Sequence, residues 1–287
     1  MQWASAPSKV TVTPMFVPRK NRNMLQAALT TLALTYHQTV YNLRQDDRNA
    51  IVGLLMGIVQ NLVLVIGFFL MFWLVRVRAS PLRGDFMIYL MSGIFMFMTH
   101  VKAVGAVSGS GALTSGMTNH APLNSVILMS GAAMAALYRQ MIACLALMGL
   151  YHTLMKPIEL ESWRGCLWML ILAWLTGCCI GLVFLAIKPW WPKGTGLMTM
   201  IYQRVNMLAS GKMFVANLMP STLLPFFAWN PLFHIIDQTR GFAFINYSPH
   251  RTSLIYPVYF ALAVLMIGLM MEFVTRRKVS LSWSAGQ

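Results

Sequence analysis

Charge is scarce in this chain. Only 10% of its 287 residues are charged, whereas 57% are hydrophobic, and soluble domains carry charge on about a quarter of their residues. The mean hydropathy of +0.62 likewise shows a predominantly apolar chain. Such a chain has too little polar surface to cover itself in water, which excludes soluble fold classes. Its apolar runs of about 16 to 25 residues can cross a hydrocarbon core as helices, so the sequence predicts an all-α polytopic membrane protein.

Acidic residues are scarcer still, with 7 Asp and Glu against 22 Lys and Arg and a net charge of +15. The basic residues lie mostly between and outside the apolar runs, which is typical of cytoplasmic loops and speaks against nucleic acid as a partner. An integral membrane transferase needs clustered acid–base groups, and an ion-coupled secondary transporter needs ionisable groups at membrane depth. Because no acidic residue lies in the middle of a predicted span, both classes are kept only as alternatives.

Several site signatures are also missing. The four cysteines, Cys144, Cys166, Cys178 and Cys179, lie in or beside apolar runs, and their spacing predicts neither a disulfide framework nor a zinc site. No cofactor or metal is therefore expected. The N-terminus lacks the continuous apolar stretch of a signal peptide, so residues 1–22 are predicted to be a cytoplasmic tail. "SGSGALTSG" lacks the lysine of a phosphate-binding loop and "ASGKMF" lacks its spacing, so any ATP hydrolysis must come from another chain.

The apolar pattern predicts one surface helix followed by six spans. Residues 23–50 hold an amphipathic helix suited to the membrane interface, although a solvated helix packed on another domain fits the same pattern. The transmembrane domain is placed at residues 51–272 and a cytoplasmic tail at 273–287. Its spans are predicted at Ile51–Val75, from Phe86 to about His100, from about Gln140 to Met155, at Cys166–Ile187, within Leu197–Ala228 and at Leu254–Met271.

Arg139 and the chain ends determine the expected topology. An arginine at mid-bilayer costs a few kcal/mol at least, so Arg139 is placed near the cytoplasmic surface, with an interface-proximal helix at Val126–Tyr138 before the third span. Six spans put both termini on one side, and the basic residues at both ends make that side cytoplasmic. The connection that carries Arg76, Arg78 and Arg83 argues against this orientation.

A polar, proline-bounded stretch from Trp229 to Arg251 precedes the last span. Irregular backbone at membrane depth survives only where protein or a water-filled cavity covers it. We therefore expect a pair of re-entrant helices there, with gate candidates Asn230, Pro231, Asp237 and Arg240. The spacing of Asp237 and Arg240 permits an ion pair on one helix face, so a structural role is as compatible with these two residues as gating.

Four segments carry a family resemblance: "NPLFHIIDQTRGFAF" from Asn230 to Phe244, "ASGKMF" with Pro220 downstream, "HAPLNSVILMSGAAMAALYR", and the terminal "GLMMEFVTRR". The sequence resembles the membrane subunit of type 2 ABC exporters (ABC-2 permeases), in the branch that exports capsular or lipid-linked polysaccharides from Gram-negative bacteria. Two motifs depart from the family pattern. The lead into the first span keeps only Arg48 and Gly53, and the loop before the fifth span keeps only "YQRV".

The resemblance implies a homodimer in the bacterial inner membrane, with the translocation path at its interface and a separate cytoplasmic ABC ATPase. Its cargo would be a glycan or glycolipid, passed on to periplasmic or outer-membrane export proteins, and a lipid or drug-like cargo is the alternative within the same layout. ATPase closure would push on the surface helix and on residues 102–138, with coupling candidates His120, Pro122, Asn124 and Arg139. A sliding glycan favours flat aromatic faces, for which the candidates are Trp73, Tyr89, Phe214, Phe227, Trp229 and Phe242.

Overall fold

The computed structural model describes residues 24–45, 50–75, 82, 84–111 and 125–284. Regular structure in these ranges is helical throughout. The helices are α1 (Met24–Gln45), α2 (Ala50–Leu74), α3 (Phe86–Gly109), α4 (Ser125–Leu154), α5 (Trp163–Ile187), α6 (Pro192–Ala209), α7 (Leu224–Ala228), α8 (Pro231–Ala243) and α9 (Ile255–Ser284), with a 3-10 turn at Ala216–Leu218. The predicted tail at residues 1–22 lies outside the described residues.

Five of the described helices are long and apolar enough to cross a membrane: α2, α3, α4, α5 and the part of α9 up to Thr275. The predicted first, second, fourth and last spans each lie on one of them. The predicted all-α polytopic class is therefore confirmed. The region predicted to hold the fifth span is divided among α6, the 3-10 turn and α7, and none of these pieces is among the candidate spans.

The predicted interface-proximal helix and the predicted third span, which were expected to meet at Arg139, form one continuous helix. α4 continues through Arg139 as a single helix of 30 residues, and the Arg139 guanidinium donates a hydrogen bond of 2.6 Å to the carbonyl oxygen of Asn42 in α1. α1, which packs along α4, thus supplies an acceptor for this arginine within the protein. At the other end of the chain, α9 stays helical beyond the predicted boundary at residue 272 and ends at Ser284.

The centre of the fold is the close pair formed by α3 and α5. Gly177 and Gly181 of α5 face α3 one turn apart, where a Cβ atom would lie 2.5 Å from the His100 carbonyl oxygen and 2.9 Å from the Val104 carbonyl oxygen. Small residues at this spacing let two membrane helices approach closely, and the gain is van der Waals contact rather than hydrophobic burial. The Gly-x-x-x-Gly pattern therefore sets the distance between the two central helices.

Buried polar side chains join the other helices to this pair. His100 is fully buried. Its Nδ1 lies 3.1 Å from the Thr176 hydroxyl of α5, and its Nε2 lies 2.8 Å from the Tyr202 hydroxyl of α6. The amides of Asn61 in α2 and Gln140 in α4 bond each other at 3.0 and 3.3 Å. In an apolar surrounding these contacts give each of the side chains just named a hydrogen-bond partner on another helix. They therefore favour one arrangement of the helices.

Replacing Gly177 by alanine tests the close α3–α5 contact. The added methyl group meets backbone that cannot move aside, so we expect a loss of about 1–3 kcal/mol from overpacking and a lower unfolding temperature of the purified protein in detergent. Gly149→Ala in α4 is the matched control, since a Cβ atom there meets nothing within 4 Å and the change favours helix. Equal unfolding temperatures for the two variants would contradict the proposed packing.

Candidate functional site

α8 is a polar helix that the rest of the protein encloses. All ten residues from Pro231 to Arg240 are buried, and the helix packs against α3, α5 and α9. Asn230 caps its first turn, since its side-chain oxygen accepts a hydrogen bond of 3.0 Å from the Leu232 N–H. Pro231 follows at the first helical position, where its missing N–H costs nothing. The sequence Asn-Pro-Leu therefore starts a helix at this point.

The start of α8 is tied to the end of α6. The Asn230 side-chain amide donates to the side-chain oxygen of Asn206 at 2.9 Å and to the Ala209 carbonyl oxygen at 3.0 Å. α8 ends at the opposite side, beside the first turn of α5, where the Ser162 N–H donates to the Phe242 carbonyl oxygen at 2.9 Å. α8 therefore lies along the N-terminal halves of α3 and α5, and α6 contacts α3 further on, at His100 and Val101.

Arg240 holds the loop that follows α6. Its side chain is fully buried and donates to three carbonyl oxygens, those of Gly211 at 3.1 Å, Lys212 at 2.7 Å and Phe214 at 2.6 Å. The guanidinium also lies 4.2 Å from the centroid of the Tyr89 ring in α3. Gly211 has a φ of 75°, a left-handed conformation that glycine adopts without strain. The turn and its arginine partner thus form one unit.

Asp237 joins α8 to the segments on either side of it. Its carboxylate accepts hydrogen bonds from the Ala216 N–H at 3.3 Å, the Tyr247 hydroxyl at 2.6 Å and the Thr252 hydroxyl at 2.8 Å. Burial, and then the hydrogen bond to this carboxylate, raise the pKa of Tyr247 well above its usual value, so the phenol remains the donor. In the described part of the chain Asp237 and Arg240 form no ion pair with each other, and each has its own partners.

Lys212 is a buried cation within the region predicted to hold the fifth span, and it was not among the candidate site residues. Its side chain is 3% exposed, and its ammonium lies 3.7 Å from the Phe97 ring centroid and 4.6 Å from that of Phe68. Aromatic faces attract a desolvated cation. The signal in the sequence was a lysine inside an apolar stretch, but the two rings come from α3 and α2 and are not visible locally.

The six aromatic candidates fall into two groups. Tyr89 is fully buried beneath Arg240, Phe214 and Phe227 pack edge to face with ring centroids 5.0 Å apart, and Phe242 packs against Gly165. Trp73 and Trp229 differ, since 56% and 54% of their surfaces are exposed. Only these two tryptophans present most of their area to a partner, to lipid or to cargo.

The structure brings together the four gate candidates but not the four coupling candidates. His120, Pro122 and Asn124 lie outside the described residues, and Arg139 bridges α4 and α1 as described above. Among the residues that the structure describes, no group of three or more His, Cys, Asp or Glu side chains could hold a metal ion. The side chains of Asn230, Asp237 and Arg240 bind backbone and one another's neighbouring segments, an arrangement that fixes a segment in place. Four buried atoms beside them, the Tyr89 and Ser210 hydroxyls, the Lys212 ammonium and the Arg240 Nε, have no hydrogen-bond partner among the described residues.

No protein-family profile matches the chain. Two individual proteins match the chain, and both are Escherichia coli proteins named polysialic acid transport protein KpsM. One is 22% identical over 191 residues and the other 23% identical over 195 residues, and each match covers 64% of this chain and 71% of the relative. These relatives confirm the predicted resemblance to the polysaccharide-export branch of the ABC-2 permeases.

Replacing Arg240 by methionine tests how the loop after α6 is held. The three carbonyl oxygens lose their donor inside the protein, so we expect a loss of about 3 kcal/mol or more and little protein in the membrane. Arg251→Met is the matched control, because Arg251 is exposed and donates to a single carbonyl oxygen, that of Met219. Thermal unfolding and membrane abundance are the measurements. A stable Arg240→Met protein that has lost only its transport activity would point to a gating role instead.

Proposed function

We propose that this chain is the membrane-spanning permease subunit of an ABC exporter, moving a polysaccharide or lipid-linked glycan outward across the bacterial inner membrane. The match to two polysialic acid transport proteins carries the proposal, and the five apolar helices agree with it. ATP hydrolysis would belong to a separate cytoplasmic ABC ATPase, and the permease itself would catalyse no reaction. The glycan class follows from the relatives, whose names specify polysialic acid.

The proposed topology has six crossings, of which the fifth is broken. α5 and α9 run in the same direction, since Gly268 lies against Leu182 and Thr275 bonds the Ala186 carbonyl oxygen. Two parallel spans require the chain between them to cross back once. α6 begins directly after α5, and Asn217 donates to the Ser248 carbonyl oxygen just before α9. Residues 192–217 would therefore make the return crossing, although Gly211 interrupts their helix.

In this topology α7 and α8 form the re-entrant pair at the outer side. Polar backbone at membrane depth must find its partners within the protein, and the contacts of Asn230, Asp237 and Arg240 meet that requirement. We propose that these contacts hold the pair as a fixed outer rim of the conduit, with Pro231 setting where α8 starts. Of the aromatic candidates, the exposed Trp73 and Trp229 are best placed for a path between two copies of the chain.

Coupling to the ATPase would run through α1. Both chain ends are proposed to lie in the cytoplasm, so α1 rests on the inner membrane surface, where an ATPase subunit can push it. The hydrogen bond from Arg139 to Asn42 links α1 to the middle of α4, and such a contact would transmit that movement to a span. Assembly as a homodimer with ATPase subunits and with outer export proteins completes the proposal.

Cysteine labelling tests the topology. In a variant without the four native cysteines, Ser248→Cys should react with a membrane-impermeant maleimide added to intact cells whose outer membrane has been made permeable. Lys193→Cys, at the exposed start of α6, is the matched control and should react only after the inner membrane is opened. Labelling of residue 248 from the cytoplasmic side alone would overturn both the orientation and the outer position of α8.

Purification with a partner tests the function. The tagged chain, extracted from its native membrane, should bring with it an ABC ATPase, and the reconstituted complex should hydrolyse ATP faster in the presence of its glycan cargo. Arg139→Gln should keep the complex but reduce the stimulated rate several-fold, because the link between α1 and α4 is lost. A chain that purifies without an ATPase and supports no export would refute the proposal.

A further inference from the structure

Arg204 lies on α6 close to the middle of the bundle. Tyr202, two residues before it, bonds the imidazole of His100 in α3, and the same imidazole bonds Thr176 of α5. The apolar span α5 extends from Trp163 to Ile187, so Thr176 lies near its midpoint. At a helical rise of about 1.5 Å per residue, Arg204 is displaced by only about 3 Å from the level of Tyr202. The arginine therefore lies at a depth where a membrane is most apolar.

The Arg204 side chain points away from the rest of the fold and is exposed. Among the described residues, none accepts a hydrogen bond from its guanidinium or forms an ion pair with it. The exposed residues one or two turns away on the same side of α6 are apolar: Leu197, Met200, Ile201 and Leu208. Arg204 is therefore a charge placed among hydrocarbon side chains.

Lipid hydrocarbon is a poor surrounding for this charge. A charged side chain at the centre of a bilayer is costly, and it almost always faces a water-filled cavity or a partner. The hydrocarbon core is about 30 Å thick, so the nearest headgroups lie about 15 Å away on either side, which is further than an extended arginine side chain reaches. The face of α6 that carries Arg204 must therefore meet water or an acceptor within the assembly.

A second copy of the chain brings no described carboxylate to this level, because the two copies of a two-fold dimer present the same residues. Glu272 accepts a hydrogen bond from Ser125, at the end of the bundle where α4 begins, and Asp237 is buried with donors of its own. The sequence has seven acidic residues. Three others lie at the end where α3 and α5 begin: Asp85, Glu159 and Glu161. The last two precede α2 in the sequence and lie outside the described residues: Asp46 and Asp47.

The outer end of the same helix carries an aromatic surface. Trp229 directly precedes Asn230, whose side chain bonds Asn206 and the Ala209 carbonyl oxygen at the end of α6. The tryptophan is 54% exposed, and its ring offers a large, flat, apolar face along which a sugar ring can slide. From the middle of the membrane outward, α6 and its neighbour thus present a cation and then an aromatic ring.

We propose that the exposed face of α6 borders the cargo path and that Arg204 binds the carboxylates of an acidic glycan as the glycan passes. This inference rests on the proposed export function and adds the residue that selects the charge of the cargo. A guanidinium presents two parallel N–H donors to a carboxylate. Because Arg204 stands on an open face and not in a pocket, each carboxylate can be replaced by the next as the glycan advances.

Cysteine labelling in the membrane tests whether this face of α6 meets water. In a variant without the four native cysteines, Ile201→Cys keeps Arg204, one turn away, and should react with a small charged methanethiosulfonate reagent. Leu175→Cys is the matched control, because Leu175 is exposed at the same level on α5 and a thiol in apolar surroundings does not form the reactive thiolate. No labelling at residue 201, or equal labelling at both positions, would overturn the proposal. The measurement needs neither cargo nor ATPase, so the path on α6 and the export function can fail separately.

Glycan-stimulated ATP hydrolysis by the reconstituted complex tests the selection of charge. The probes are polysialic acid and the same polymer with its carboxyl groups reduced to alcohols, and the wild type should respond to the acidic form at the lower concentration. Arg204→Gln should raise the concentration of polysialic acid for half-maximal stimulation at least about fivefold, as one lost charge-assisted contact implies. Its maximal rate and its response to the reduced polymer should stay unchanged, and Arg204→Lys should recover part of the loss.

Lys193→Gln is the matched control for this experiment, since it removes an exposed cation from the start of the same helix and should leave the half-maximal concentration at the wild-type value. An equal rise in both variants would reduce the effect to the net charge of the protein. Equal stimulation of the wild type by both polymers, or stimulation by neither, would exclude an acidic glycan as the selected cargo. Each of these results overturns the proposal, whereas an ATPase that copurifies and supports export keeps the export function.

A chemical modification replaces Arg204→Gln if that variant does not accumulate in the membrane. In the Ile201→Cys protein, a negatively charged methanethiosulfonate reagent should weaken the response to polysialic acid, and a positively charged reagent of similar size should not. Equal effects of the two reagents would show that bulk and not charge matters beside Arg204, which would contradict its role in selection.

Discussion

The hold of Arg240 on three carbonyl oxygens is the contact on which the rest of the α8 region depends. A guanidinium presents its donors in a rigid planar fork, so one side chain satisfies the oxygens of Gly211, Lys212 and Phe214 together. These oxygens belong to the turn where α6 has stopped. Without that donor, a non-helical segment surrounded by apolar helices would leave its polar groups unpaired, which is costly. Asn230 and Asp237 then fix the two sides of the same turn.

The α3–α5 pair supplies the frame for this arrangement. Because Gly177 and Gly181 bring the two backbones together, the pair presents a long, narrow ridge on which other segments can rest. α8 occupies one half of the ridge and α6 meets the other half at His100. α6 ends at Ala209, and the chain after it leaves room for α8 beside the pair. The close packing at the two glycines and the enclosure of the polar helix α8 thus both depend on the α3–α5 pair.

Span positions were predictable because the length and polarity of an apolar run are local properties. Partners were not. The sequence marked Asp237 and Arg240 as unusual, yet their contacts come from residues such as Gly211, Ala216 and Thr252, which no helical spacing relates to them. Arg139 is a second residue whose distant partner could not be predicted from the sequence. Its charge predicted a boundary between an interface-proximal helix and the third span, whereas α4 is continuous there and Asn42, 97 residues earlier, provides a carbonyl oxygen for the guanidinium.

Two buried cations lie beside α8, and the protein encloses them in different ways. Near α8, the Lys212 ammonium lies between the rings of Phe97 and Phe68, and Arg240 lies over Tyr89. Desolvated cation–π contacts of this kind contribute about 2 kcal/mol or more, so the two rings offset part of the cost of burying the Lys212 ammonium, which has no hydrogen-bond partner among the described residues. Arg240 differs from Lys212, because three carbonyl oxygens accept hydrogen bonds from its guanidinium in addition to the ring contact. The arginine therefore ties the loop after α6 to α8, whereas the lysine is held by aromatic faces of α2 and α3.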